Sequence, residues 1–411
     1  MNEKSRLQNI DKYAARLLMV SFFLPMQPQV LVLFGMCAYF IFSTFKSGQR
    51  LPITNYITAI CLGALYLLYL IAVPLTPTAY RSVTQTLCEY KMSYLLLPLV
   101  FASISVAKIR VILNELVYFI YGSIFICIVG NVWFVVKYAL APEGFRGVNH
   151  VTYRIFFEDL TGIHPTYISM YLVFGIAVLL VRGQKMNRTV KYIMFYTMLA
   201  FLLPLLAKSP LIAMVIMFAH VAWLRRKALA RYKWTFVGVL SLMVLSYVFV
   251  PFVSQRVNEM AGIGTSLKQN VTDNSIHERK MIVSVDWSMV KQYWLTGCSP
   301  GRLLHLLKTR YCFYSLYYER DVNSFDPHNE YFYQWISFGL IGIILFAGAL
   351  AWYFMKAIRT QDYLFVYLLL VFTITFFTES VLATQHGILL YSFFTALLFF
   401  NRGEVSETGI R

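Results

Sequence analysis

Charged residues are scarce in this chain. Asp, Glu, Lys and Arg make up 13% of its 411 residues against 59% hydrophobic residues, whereas a soluble globular protein devotes about a quarter of its residues to charge. That shortage excludes an ordinary soluble enzyme. No CxxC pair and no His/Cys cluster occurs, so nothing in the sequence has the spacing of a zinc site. Internal repeats, low-complexity tracts and Pro-rich linkers are missing as well, which leaves no sign of a solenoid or a tethered second domain.

What is present is a succession of apolar runs joined by short polar stretches. Most are long enough to cross a hydrocarbon core of about 30 Å as helices, and about twelve meet that length criterion. They fall at 17 to 26, 29 to 45, 54 to 73, 92 to 107, 111 to 136, 167 to 181, 192 to 207, 210 to 224, 234 to 253, 328 to 354, 363 to 378 and 387 to 400. The expected fold is therefore an all-α polytopic membrane protein. The first run follows Lys4, Arg6, Lys12 and Arg16 and has the outline of a signal peptide, but no small-x-small cleavage site follows it, and it reads as an uncleaved first span.

The formal charge of +17 invites a nucleic-acid reading, but the basic residues alternate along the chain. Arg182, Lys185, Arg188 and Lys191 fill one joint and Arg225, Arg226, Lys227, Arg231 and Lys233 another; Lys46 with Arg50, Lys108 with Arg110, and Lys356 with Arg359 mark three more. Every second joint is basic, the positive-inside pattern, which puts both termini and these joints in the cytoplasm and makes nucleic-acid binding an unnecessary explanation. The other side receives 74 to 91, 137 to 166, the turn at Lys208, 379 to 386 and one long polar segment. The organisation expected is spans one to nine with short loops over 1–253, a large extracytoplasmic loop over 254–327, spans ten to twelve over 328–400, and a cytoplasmic tail over 401–411. Cys37, Cys61 and Cys127 lie in apolar runs as small hydrophobes, while Cys298 and Cys312 share the large loop, where an oxidising compartment permits a disulfide.

Within that loop Ser275 and Glu278 form a capping box for a helix running to about Leu295, with Arg279 near its second turn. "TGCSPGR" follows, a glycine- and proline-rich break that either ends the helix or cradles an anion on its amides. Asp326 is a favoured N-cap and Pro327 suits the first helical position, so His328 and Asn329 are expected in the first turn of the tenth span, where the positive helix end favours neutral imidazole. Steps of eleven and fourteen residues come close to whole turns, so His328, Trp335, Gly339 and Gly342 are expected on one stripe, with the glycines admitting a neighbouring helix at mid-membrane depth. His328 is then either a proton acceptor or a residue that meets water and headgroups. In "AKSPL", Ser209 is a candidate cap for a helix beginning at Pro210, which sets Lys208 beside a helix N-terminus as a phosphate ligand or as a lysine anchoring the membrane boundary.

His328-Asn329, nine residues, then Gly339-Leu340-Ile341-Gly342 resembles the signature of the O-antigen ligase and O-antigen polymerase superfamily, and the large loop ending at the signature is similar to that family's. "LLAKSPLIAMV" resembles its Ser-Arg-small turn, with Lys208 at the arginine position. "HERKMIVSVDW" resembles the segment carrying its loop arginine, here Arg279, and "LTGCSPGR" the glycine-rich piece after it. Glu379 and Gly387 stand where the family often has an acidic residue and a glycine.

The resemblance implies a metal-independent glycosyltransferase of the bacterial inner membrane without cofactor, acting on the periplasmic face. A glycan would pass from undecaprenyl diphosphate to a sugar hydroxyl of lipid A-core or of a second lipid-linked glycan. The family's chemistry implies His328 as base, Arg279 and Lys208 as cations for the departing diphosphate, and Asn329, Arg256 and Arg302 as substrate-binding residues. Arg146 and Arg154 are further candidates for the phosphate, since lysine lacks arginine's bidentate fork; His164 in "GIHPTYIS" lies outside the core set. No Asp-x-Asp triplet occurs to hold a divalent ion against a diphosphate, in keeping with basic side chains in that role. A polymerase of the same superfamily is the alternative. A polysaccharide transporter is a more distant one, as no symmetry-related halves or charges deep in the bundle are evident.

Overall fold

The computed structural model describes residues 3–49, 51–141, 144, 148–226, 233–250, 253–254, 275–318 and 326–401. Among these every regular element is helical. In chain order the α-helices are α1 Glu3–Val20, α2 Met26–Lys46, α3 Ile53–Leu62, α4 Ala64–Leu75, α5 Thr78–Lys91, α6 Ser93–Ala102, α7 Val106–Asn114, α8 Val117–Ala139, α9 His150–Thr161, α10 Pro165–Arg182, α11 Arg188–Leu205, α12 Lys208–Leu224, α13 Lys233–Phe249, α14 Ser275–Tyr293, α15 Pro300–Tyr318, α16 Glu330–Arg359, α17 Tyr363–Thr375 and α18 Gln385–Phe399.

Each apolar stretch of the sequence carries helix, but the helices differ in length. Met26–Lys46, Val106–Ala139, Pro165–Arg182 and Glu330–Arg359 are long and apolar enough to cross a membrane, and α3 with α4 makes a fifth if that pair, bent by 59°, is one span. The bend sits at Gly63, where an added Cβ would lie 2.5 Å from Leu95 Cδ1, so a side chain of α6 occupies the notch. The α12, α17 and α18 helices are apolar but shorter.

Two helices form the centre. Nearly every residue of α10 is buried, as is α18 from His386 to Phe399, which is what a helix apolar on all sides requires. α18 packs on α6 and α17, and α10 on α8, α11, α12 and α17. Aromatic rings gather at the centre: the Phe394 ring of α18 lies 4.8 Å from Phe174 of α10, 5.1 Å from Phe119 of α8 and 5.1 Å from Phe22, pairs worth about 0.5–1.5 kcal/mol each beyond the area they bury. At the chain's start α1 is tied to α7 and to the α7–α8 junction by ion pairs, Lys108 with Asp11 and Arg16 with Glu115 at 2.8 Å.

The described part of the long polar segment is the α14–α15 hairpin. α14 lies on α16 and α15 lies on α5. Both Cys298 and Cys312 are free thiols, which corrects the disulfide allowed by the sequence. The reason is geometric: Cys298 precedes α15 and Cys312 lies in it, so most of 14 residues of helix, rising about 1.5 Å each, separate two groups whose Cα atoms must approach within about 7 Å to pair.

Candidate active site

The segment before α16 folds differently from the expected helix start. Asp326 Oδ1 accepts a hydrogen bond from the His328 backbone N at 2.9 Å, closing a local turn that competes with helix. The chain then passes through His328 at φ +44°, in the left-handed region, and α16 begins at Glu330 with Asn329 as its N-cap, Oδ1 accepting from Phe332 N at 3.0 Å. The expectation of Asp326 as cap with His328 and Asn329 in the first turn is thus corrected by three residues. A histidine in that backbone region costs on the order of 1–3 kcal/mol, a strain that concentrates at functional sites.

The turn aims the imidazole at acids. His328 Nδ1 lies 3.2 Å from Glu379 Oε2 and 3.3 Å from Asp326 Oδ1. An ionised carboxylate only accepts, so Nδ1–H is the donor, and in the neutral ring Nε2 keeps the acceptor lone pair. The His328 side chain is 36% exposed and Glu379 19%, so the acid is the more enclosed partner of a ring that reaches solvent. This is the arrangement of a base oriented by a third group.

Glu379 lies on the loop between α17 and α18, which is fastened to its surroundings at several points. Glu330 N donates to Phe376 O at 2.8 Å, and Asn329 Nδ2 to Phe377 O at 3.3 Å. Thr378 Oγ1 donates to Ser209 Oγ at 2.7 Å. That last bond brings the start of α12 to the residue next to Glu379. Ser209 therefore serves the loop and not as a cap: α12 begins at Lys208, behind Ala207, which corrects the expected start at Pro210. Lys208 is the first helical residue, half-buried, at the positive end of α12.

His164 joins the same region. Its Nδ1 caps α10 by accepting from Thr166 N. Burial lowers its proton affinity below that of free imidazole; the charges of Arg154 and His328 act in the same direction, and those of Glu379 and Glu158 oppose them. Glu379 thus acts on both histidines, and Arg154 is near enough to act on one. The sequence left His164 outside the core set; its signal was the His-Pro pair at the mouth of a buried helix.

Other candidates are placed less centrally. Arg302 lies in the first turn of α15, next to Gly301, whose added Cβ would meet Tyr80 O of α5 at 2.5 Å. Arg279 lies on α14; its side chain, and Arg256 and Arg146 entirely, fall outside the described residues.

Gly339 and Gly342 do not share a helical stripe with His328, contrary to the periodicity argument. Gly339 has φ +67° and ψ −152°, which breaks α16, a conformation essentially confined to glycine. The break exposes backbone groups that a loop satisfies: Cys298 N donates to Ile336 O at 2.8 Å, Ser299 N to Ser337 O at 3.0 Å, and Leu340 N to Leu295 O at 3.1 Å. Trp335 Nε1 adds a bond to Trp294 O at 3.0 Å. The glycine does admit a close neighbour, but that neighbour is the "TGCS" backbone and not a helix. An added Cβ on Gly342 would meet Gln334 O and Phe338 Cβ of the preceding half of α16, each at 2.6 Å, so this second glycine permits the kink itself.

Residues 193–347 match the family model for O-antigen ligase. The matched stretch runs from α11 past the break in α16 and includes Lys208, Arg279, Arg302, His328, Asn329 and both signature glycines. The match, with the helices long and apolar enough to cross a membrane, points to a bacterial membrane protein of ligase or polymerase type. No curated protein matches the chain.

Proposed function

We propose that the protein is an O-antigen ligase-like glycosyltransferase of the inner membrane, with its termini in the cytoplasm and the His328 site on the periplasmic face. The observation that carries this reading is the hydrogen bond between His328 Nδ1 and Glu379, which supports Nε2 as the proton acceptor. In the reaction, Nε2 takes the proton of an acceptor sugar hydroxyl as that oxygen forms a bond to the anomeric carbon of the donor glycan. The bond from that carbon to the diphosphate breaks, and undecaprenyl diphosphate leaves with the electron pair. Glu379 and Asp326 stabilise the imidazolium that forms, while Lys208 and Arg279, with Arg256 and Arg302, balance the departing charge. Asn329 holds the entry of the chain into α16 and so the placement of the histidine. The proposed acceptor is lipid A-core, a reading supported by the match to the O-antigen ligase model and by the signature.

Deleting the gene and displaying the surface polysaccharide on a gel tests this assignment. A ligase deletion loses every glycan-bearing form of the core while lipid-linked chains accumulate. Core bearing one repeat unit instead identifies a polymerase, and an unchanged pattern contradicts both.

A further inference from the structure

Beneath His328 two opposite charges are buried. Glu330, two residues further along, is 0% exposed, and Lys91 at the end of α5 is 1% exposed. Burying such a pair gains little stability over an apolar filling of the same shape, so its use is sought in what it holds. Both residues hold Leu382. Lys91 Nζ donates to the Leu382 carbonyl and sits 5.1 Å from the ring centres of both Tyr69 and Tyr333. Glu330 Oε2 accepts from Leu382 N at 2.9 Å, and Oε1 accepts from Gln334 Nε2 at 2.6 Å. The cation thus takes the carbonyl and the anion takes the amide of a single residue in the loop that carries Glu379.

The placement along the loop gives the clamp its consequence. Glu330 N donates to Phe376 O before Glu379, and its side chain takes Leu382 N after it, so one residue grips the loop on both sides of the acid. Ala383 N donates to Ser380 O at 2.9 Å and closes the turn that holds Leu382. An apolar pair in place of Lys91 and Glu330 would leave both backbone groups of Leu382 without partners in the core.

We propose that Lys91 and Glu330 are positioning residues that set the 376–383 loop so that the Glu379 carboxylate meets His328 Nδ1. The inference rests on the reading of His328 as the base. Burial draws the Lys91 ammonium down to about 8, with the Glu330 charge opposing that fall, so Lys91 keeps its proton at neutral pH. Charged groups facing His328 are Glu379 and Asp326 directly, with His164 and, through it, Arg154 and Glu158 nearby.

The test is the pH–rate profile of glycan transfer in solubilised membranes of the deletion strain, which supply their own accumulated lipid-linked glycan. A carboxylate beside a histidine favours its charged form, so Glu379→Gln moves the acid limb to lower pH. The clamp requires Lys91→Met to move the limb in the same direction and to lower the rate about 10- to 100-fold, the scale of an ångström-sized misplacement. Adding Lys91→Met to Glu379→Gln should then cost less than a further twofold, since both act through one contact. Where Lys91→Met does not accumulate, the isosteric Glu330→Gln and the double variant Lys91→Met/Glu330→Gln, which leaves no buried charge unpaired, carry the same test. A rate lowered equally at every pH, or losses that multiply with Glu379→Gln, would overturn the proposal. His328→Ala separates the two readings: retained transfer removes the base, whereas lost transfer beside an unshifted Lys91→Met profile removes only the clamp.

Discussion

Gly297 and Gly339 meet backbone to backbone: a Cβ added to either would lie 2.6 Å from the amide nitrogen of the other. The "TGCS" turn and the signature helix thus interlock through two residues that have no side chains. The same contact makes the α14–α15 hairpin part of the scaffold that supports α16.

Alanine at either position is therefore costly. On Gly339 the new Cβ would lie 2.2 Å from Leu295 O and in a backbone region closed to other residues; on Gly297 it would lie 2.4 Å from Ser337 O. Each variant should lose about 2 kcal/mol or more of stability, seen as a lower melting temperature or reduced accumulation, and the double variant should cost less than the sum. Gly348→Ala is the control, since nothing lies within 4 Å of its added Cβ. Wild-type melting of Gly339→Ala would contradict the interlock.

Lys208 stands at the first position of α12 beside the residue bonded to Thr378. Lys208→Ala should lower kcat/KM for the lipid-linked donor by about 10- to 100-fold, the worth of a hydrogen bond to a charged group. Lys208→Arg should restore most of it, because guanidinium keeps the charge and adds a bidentate fork. Donor titrations on the three proteins decide it, and an unimpaired alanine variant would release Lys208 from the phosphate role.

Asp286 on α14 is wholly buried; Oδ1 accepts from Tyr311 at 3.2 Å and Oδ2 has no hydrogen-bond partner among the described residues. Burial raises its carboxyl to about 8, with the Tyr311 bond opposing and the Asp326 charge adding to the rise. The folded state therefore binds this proton more tightly than the unfolded chain, and stability falls as pH rises from about 4 to about 8. Asp286→Asn removes that loss while retaining an acceptor for Tyr311. It should melt above the wild type at pH 9 and lose that advantage by pH 4; an advantage independent of pH would contradict the assignment.

The helices were legible because apolar runs of sufficient length have few other ways to fold in a membrane. The prominence of His328 was legible through its spacing to Gly339 and Gly342. What that spacing does was not, because the period argument assumes an unbroken helix, and Gly339 adopts a backbone conformation that no pattern of neighbours announces. The start of α16 was misplaced since Asp326 satisfies the His328 amide locally, a choice that leaves the same residue types in the same order. Lys91 gave no sign of burial in its polar joint: its partners, Glu330 and Leu382, are brought to it only by the packing of distant helices.

In the proposed reaction His328, oriented by Glu379, removes the proton of the acceptor hydroxyl. Its most direct test is the turnover of His328→Ala with the native lipid-linked donor, in a variant whose melting temperature matches the wild type. The expected fall is about 100- to 10,000-fold, the range of general-base catalysis, with donor affinity largely preserved. Turnover within a few fold of the wild type would contradict it.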